Sequence, residues 1–138
     1  MIRSLRLLLI FTFAFGASGF VSAATAETRV FELRTYTATP GKLDALLARF
    51  RNHTCALFTK HGMTNIGYWL PTDDKDGASR KLVYLLAHES RDAAKASWAA
   101  FIADPEWKAV HAASEANGSL VEKIDSVYLN PADFSAIK

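Results

Sequence analysis

Glu32, Arg34 and Tyr36 alternate along "FELRTYT", and side chains two apart on an extended strand point the same way. A carboxylate, a guanidinium and a phenol in one row can hold the polar end of a small molecule. Glu32 and Arg34 lie about 6.5–7 Å apart between Cα atoms on a strand, close enough for their side chains to pair. If the row is covered they must pair, because an unpaired buried charge costs several kcal/mol. Two readings stay open: a structural ion pair at a subunit contact, and an anchor for a ligand. Four more residues join the candidate set: Asn65 and Trp69 in "MTNIGYWL", and Tyr84 and His88 in "RKLVYLLAH". Tyr36, Tyr84 and Trp69 supply walls. His88 is a candidate general base, since imidazole exchanges protons near neutral pH, or else a strand-end packing residue.

Other chemistry is poorly supported. His53 and His61 sit eight residues apart on one helical stretch, about 12 Å along its axis, too far to share a metal. No H-x-x-x-H or H-E-x-x-H occurs, so no metal site is expected. Asp73, Asp74, Asp76 and Gly77 lack the alternating order and closing Glu of a calcium loop and read as a solvated turn. Cys55 is the single cysteine and forms no internal disulfide. With no second Cys or paired His in view, it reads as a solvent-side residue. No P-loop, dinucleotide fingerprint or nucleophile elbow is present, and no cofactor is expected. The sequons at Asn52 and Asn117 matter only in a eukaryotic secretory pathway.

These residues need elements to position them. The first strand is expected from Val30 to Thr37. A helix then begins with Thr39 as cap and Pro40 at its first position, and Gly62 closes it. Leu43, Leu46, Leu47, Phe50, Thr54, Leu57, Phe58 and His61 form its stripe at helical spacing. "MTNIGYWL" and "RKLVYLLAH" are strands two and three, joined by a polar loop. Ser90 caps a helix to about Ala103, and Asp104-Pro105 opens another that runs to Asn117-Gly118. Strand four is "LVEKIDSVYL", followed by a tail. The order β-α-β-β-α-α-β indicates an α+β, ferredoxin-like sandwich with a four-stranded antiparallel sheet and its helices on one face.

The first 26 residues have the layout of a secretory leader: Arg3 and Arg6, an apolar run from Leu7 to about Val21, then cleavage patterns ending at Ala23 and Ala26. The run is shorter than the ~20 residues that span a bilayer, so no stable membrane anchor is expected after cleavage. The expected product is an exported chain of one domain, residues 27–138. Removing Arg3 and Arg6 leaves 14 basic against 14 acidic residues, a neutral domain with no basic run for nucleic acid.

Val83, Leu85 and Ala87 suit a helix-packed face, yet Leu82, Tyr84, Leu86 and His88 on the other row are also mostly apolar. Ile66, Tyr68 and Leu70 likewise oppose Asn65, Gly67 and Trp69. A sheet with one wet face alternates apolar with polar, so something is expected to cover the open face. A second copy joined sheet to sheet is the economical cover, and a homodimer is expected. On this reading Glu32, Arg34 and Tyr36 face the enclosed space.

"FELRTYTATPGKLDALLARFRNHT", "KHGMTNIGYW", "LVYLLAHES" and "FIADPEWKAV", in that order from about Arg29 to Phe134, resemble the NIPSNAP family. The resemblance implies a dimeric α/β-barrel in which two ferredoxin-like units pair their sheets. It implies no reaction and no catalytic set. The leader resembles a bacterial Sec signal, which places the chain in the periplasm or outside the cell. The expected function is a NIPSNAP-like homodimer holding a small apolar or aromatic molecule in the barrel between the sheets. The alternative is a non-enzymatic interaction module with a sealed dimer contact and an apolar patch outside, near Trp107 and Val110.

Overall fold

The computed structural model describes residues 29–138; the expected leader lies outside the described residues. Strands β1 (Val30–Ala38), β2 (Thr64–Trp69), β3 (Lys81–His88) and β4 (Val121–Leu129) form one sheet in the order β2-β3-β1-β4, and every neighbouring pair is antiparallel. The fold is the α+β ferredoxin-like sandwich. Its helices are α1 (Leu43–Arg49), α2 (Cys55–Lys60), α3 (Arg91–Ala103) and α4 (Pro105–Ser114).

The helix termini follow local chemistry. Ser90 Oγ accepts the Ala93 N–H at the start of α3, and Asp104 accepts the Glu106 N–H at the start of α4, with Pro105 in the first turn. The first helix starts later than its Thr39-Pro40 signal suggests. Gly41 takes φ +74°, a left-handed conformation that closes a turn from Thr39 to Lys42, and regular helix begins only at Leu43. α4 stops at Ser114, short of Asn117-Gly118.

The helix from Leu43 to Lys60 is not uniform. Phe50–Thr54 form a π-helical turn joining α1 to α2. The Cys55 N–H reaches back five residues to the Phe50 carbonyl, and the Thr54 hydroxyl donates to the Arg49 carbonyl at 3.2 Å. Such wide turns gather at functional sites; here the turn and its flanks carry Arg49, Phe50, Thr54 and Phe58.

The core lies between helices and sheet. Leu46, Phe50, Leu57 and Phe58 from the first helix meet Leu82, Tyr84 and Leu86 of β3, Phe101 of α3 and Leu120 before β4. Tyr84 is the hub of an aromatic cluster, with ring centroids 5.4 Å from Tyr36, 5.3 Å from Phe50 and 5.4 Å from Tyr68. Burying each large apolar side chain contributes roughly 1.5–3 kcal/mol.

This packing reverses the expected facing of the sheet. The helices cover Leu82, Tyr84, Leu86 and His88, all buried, together with Glu32 and Tyr36 paired beside them. The open face carries Phe31, Leu33, Val83, Leu85, Val127 and Leu129, with Trp69 from β2. β3 is apolar on both rows, so parity alone could not say which row meets the helices. The row of Glu32, Arg34 and Tyr36 looks too polar for a core, but donors arriving from a helix and from β4 make it acceptable there.

A second cause is a bulge in β2. Asn65 pairs with Leu86 and Gly67 with the adjacent Leu85, leaving Ile66 as the extra residue. Asn65 therefore shares the helix side with Tyr68, while Trp69 points to the open face. There the Trp69 indole lies across Gly67 so closely that a Cβ on Gly67 would come within 2.6 Å of the ring. The tail after β4 turns back over one edge of this face, where Pro131, Phe134 and Ile137 form a groove with Phe31, Leu85 and Leu129.

Candidate functional site

Behind the helices, Glu32 is 1% exposed and accepts hydrogen bonds from four side chains. Arg34 Nη1 and the Ser126 hydroxyl meet Oε1 at 2.7 Å each; Trp98 Nε1 at 2.7 Å and His88 Nε2 at 3.1 Å meet Oε2. Burial alone would raise the Glu32 pKa, but the bonds from His88, Ser126, Trp98 and Arg34 outweigh it and hold the carboxyl at about 2. An ionised carboxylate only accepts, so His88 Nε2 carries the proton in this bond.

Arg34 is placed by the same partners. Its guanidinium sits 4.2 Å from the centroid of the Trp98 ring, which thus stacks on the cation while donating to the anion. Burial opposes the Arg34 charge, and the neighbouring Tyr84, Tyr36 and Glu32 favour it; the net direction is upward. Arg34 Nη2 reaches the Tyr36 hydroxyl at a long 3.5 Å. Tyr84 is pushed well above the ordinary phenol range, first by burial and then by Tyr36. Arg34 Nε, His88 Nδ1 and the Tyr84 hydroxyl are buried with no hydrogen-bond partner among the described residues.

Beside this network, a cleft of about 380 Å³ opens between β1 and β4 on one side and the helices on the other. Tyr36, Phe50, Phe58, Phe101, Trp107 and Ile124 supply its apolar walls. Arg49, His111 and Glu115 supply polarity at its α4 side. Arg49 is 5% exposed; its Nη1 donates to Ser114 Oγ at 3.2 Å and to Glu115 Oε1 at 3.1 Å, and its buried Nε has no partner among the described residues. His111 Nε2 lies 3.5 Å from the same Glu115 oxygen. The size and lining suit a small, largely aromatic molecule with one or two polar groups.

Of the seven residues singled out from sequence, the structure brings Glu32, Arg34, Tyr36, Tyr84 and His88 together, on the helix side of the sheet. They do not face a space between two sheets. Only Tyr36 reaches the cleft. Asn65 is tied into β2 and α2: its amide donates to the Cys55 carbonyl and the Thr59 hydroxyl, each at 3.0 Å, and its carbonyl accepts from Tyr68. Trp69 stands apart on the open face, 53% exposed.

Arg49, Ser126, His111 and Glu115 escape a reading of the sequence, and Trp98 and Trp107 read there as packing residues and not as part of a site. Arg49 leaves a trace, since it falls three residues after Leu46 on the same side of the helix, a charge inside an apolar stripe. Ser126 leaves none, because its role depends on pairing opposite Arg34 across β1 and β4. His61 belongs to a clamp between helices: its Nε2 meets Asp104 Oδ2 at 2.6 Å beside Lys60 at 2.8 Å. Lys60, then His61 and the Glu106 N–H, hold the Asp104 carboxyl well below the usual range.

The NIPSNAP family model matches residues 31–136. The chain belongs to the NIPSNAP family. Among solved structures, a NIPSNAP family protein of Agrobacterium tumefaciens is 23% identical, with 81% of this chain and 96% of that one covered and a TM-score of 0.69. A NIPSNAP domain protein of Burkholderia xenovorans is 25% identical, covering 77% of this chain and 97% of its own, with a TM-score of 0.64. The fold likeness extends to a Streptomyces coelicolor monooxygenase in complex with nanaomycin D, at 17% identity, 77% and 89% coverage and a TM-score of 0.54. No curated protein matches this NIPSNAP chain in sequence.

Proposed function

We propose that this NIPSNAP-family chain acts as an exported homodimer that binds a small, mostly aromatic molecule in the helix–sheet cleft of each protomer. The observation that carries the reading is the cleft itself: five aromatic side chains around about 380 Å³, with a buried Arg49 on its wall. The open sheet face supports the dimer. Trp69, Val127 and Leu129 are 53%, 54% and 40% exposed in the single chain, apolar surface at both edges of this face that a second copy would cover. A dimer that sealed this face would leave the cleft open, because the two lie on opposite sides of the sheet. The nanaomycin D complex of the S. coelicolor monooxygenase shows that the same fold accommodates an organic ligand in that protein.

Native mass spectrometry of protein purified from its own compartment tests the reading. The expected spectrum shows a dimer of chains cut after Ala23 or Ala26, with a small molecule retained on a fraction of it. A ligand-free monomer would overturn it.

A second reading, the interaction module, has its own observation. A groove of about 560 Å³ runs between α1 and α4 on the outer surface, lined by Ala45, Ala48, Ala109, Val110 and Ala113. If a protein partner uses it, Val110→Asp should abolish complex formation and leave small-molecule binding in the cleft intact.

A further inference from the structure

The open sheet face is not bare at every corner. Phe31 belongs to this face but is only 4% exposed, since the segment after β4 folds back beside it and Arg29 lies over its ring. That segment is a built piece and not a loose end. The Ser135 N–H donates to the Ala132 carbonyl at 2.9 Å, Lys138 Nζ to the Asp133 carbonyl at 2.6 Å, and Arg29 Nε to the Lys138 carbonyl at 2.9 Å. Fixing these residues costs chain entropy, which contacts elsewhere have to offset. Yet Phe134, the largest side chain of the segment, is 89% exposed and contributes almost nothing to the fold of its own chain.

Beside it lies a receptor. Phe31, Leu85, Leu129, Pro131 and Ile137 surround a hollow of about 370 Å³, with Phe134 at its rim. A projection and a hollow thus share one apolar face. A two-fold pairing uses the same patch on both subunits, so a patch that carries both shapes can complement itself.

Size points to the same occupant. The strand register places fifteen residues on the open face, four each from β1, β3 and β4 and three from β2. A stable pairing of two chains takes about 20–30 residues from each. The sheet alone falls short, and the nine residues from Asn130 to Lys138 bring the face into that range. A copy settling on this face also meets the segment before it reaches the corner at Phe31.

We propose that residues 130–138 form an arm of the dimer contact, with Phe134 of each protomer packed against the open face of its partner. The inference rests on the dimer proposed above and names the segment that completes it.

Sedimentation velocity over a concentration series of the mature protein reads the dimer dissociation constant. Phe134→Asp should raise it about tenfold or more, as loss of an aromatic anchor does. Phe134→Leu keeps an apolar contact and should raise it less. An unchanged constant in Phe134→Asp overturns the arm and leaves the dimer standing, and equal weakening by Leu and Asp overturns the apolar contact. An unaltered protein that sediments as a monomer overturns the dimer and the arm together. Hydrogen exchange needs no change at Phe134. Amides of residues 132–138 should exchange more slowly in the dimer than in the same protein diluted below its dissociation constant. Equal rates overturn the arm.

Discussion

Trp98 donates its indole N–H to Glu32 Oε2 at 2.7 Å while its ring lies 4.2 Å from the Arg34 guanidinium. One side chain of α3 thus serves both members of an ion pair on β1. Trp98→Phe keeps an aromatic face and removes the N–H together with part of the indole. It should cost about 1–3 kcal/mol, the penalty of an acceptor losing one charge-assisted partner, read as a lower midpoint in urea. Trp98→Leu, which also removes the face under Arg34, should cost more.

Glu32→Ala should be harsher, about 3–5 kcal/mol, because it strands Arg34 beneath the helices with no carboxylate. Glu32→Gln keeps the shape and should fall between Ala and the unaltered protein. Thermal unfolding followed by circular dichroism ranks the three. Equal melting temperatures would show that the pair contributes nothing to stability.

The depressed Glu32 carboxyl makes stability depend on acid in a defined window. In the folded protein it titrates at about 2, against 4.5 unperturbed. The unfolded chain therefore takes up the proton first as pH falls. The contribution is fully present above about pH 4.5 and is lost between there and about pH 2, about 3 kcal/mol in all. Urea midpoints measured from pH 6 down to pH 2 should fall steeply over that span, and Glu32→Gln should flatten the slope.

The open face supplies a prediction about assembly. Val127→Arg puts a charge where Val127 is 54% exposed and faces away from the helices. The single chain should tolerate it within about 0.5 kcal/mol, as surface substitutions usually do. Sedimentation velocity should show the unaltered protein as a dimer and the variant as a monomer. Identical sedimentation would sink sheet-to-sheet pairing.

The element order, the caps at Ser90 and Asp104 and the apolar stripe through Leu46, Phe50, Leu57 and Phe58 were legible in the sequence, because local propensity and periodicity determine them. Family membership was legible too. The facing of the sheet was not. Leu82, Tyr84 and Leu86 look as apolar as Val83, Leu85 and Ala87, and one extra residue at Ile66 moves Asn65 to the other side from Trp69. Glu32 and Arg34 looked like an open-face row because their donors, Trp98 and Ser126, arrive from 66 and 94 residues away. Arg49 was visible only as a charge in an apolar stripe, since what makes it notable is a helix that widens at the next residue.

The widened turn at Phe50–Thr54 also bears on how lineages of this fold diverge. A π turn holds one surplus residue relative to α-helix. A single-codon deletion inside it would return the stretch to regular α-helix and leave Leu43–Arg49 and Cys55–Lys60 in phase, because the wide turn is what absorbs the extra residue. Arg49 and Phe58 would keep their sides, and only the side chains of the turn itself would be reassigned. Aligned relatives with a one-residue gap at this point should therefore differ in the cleft wall around Phe50 and Thr54 while the flanking helix faces match.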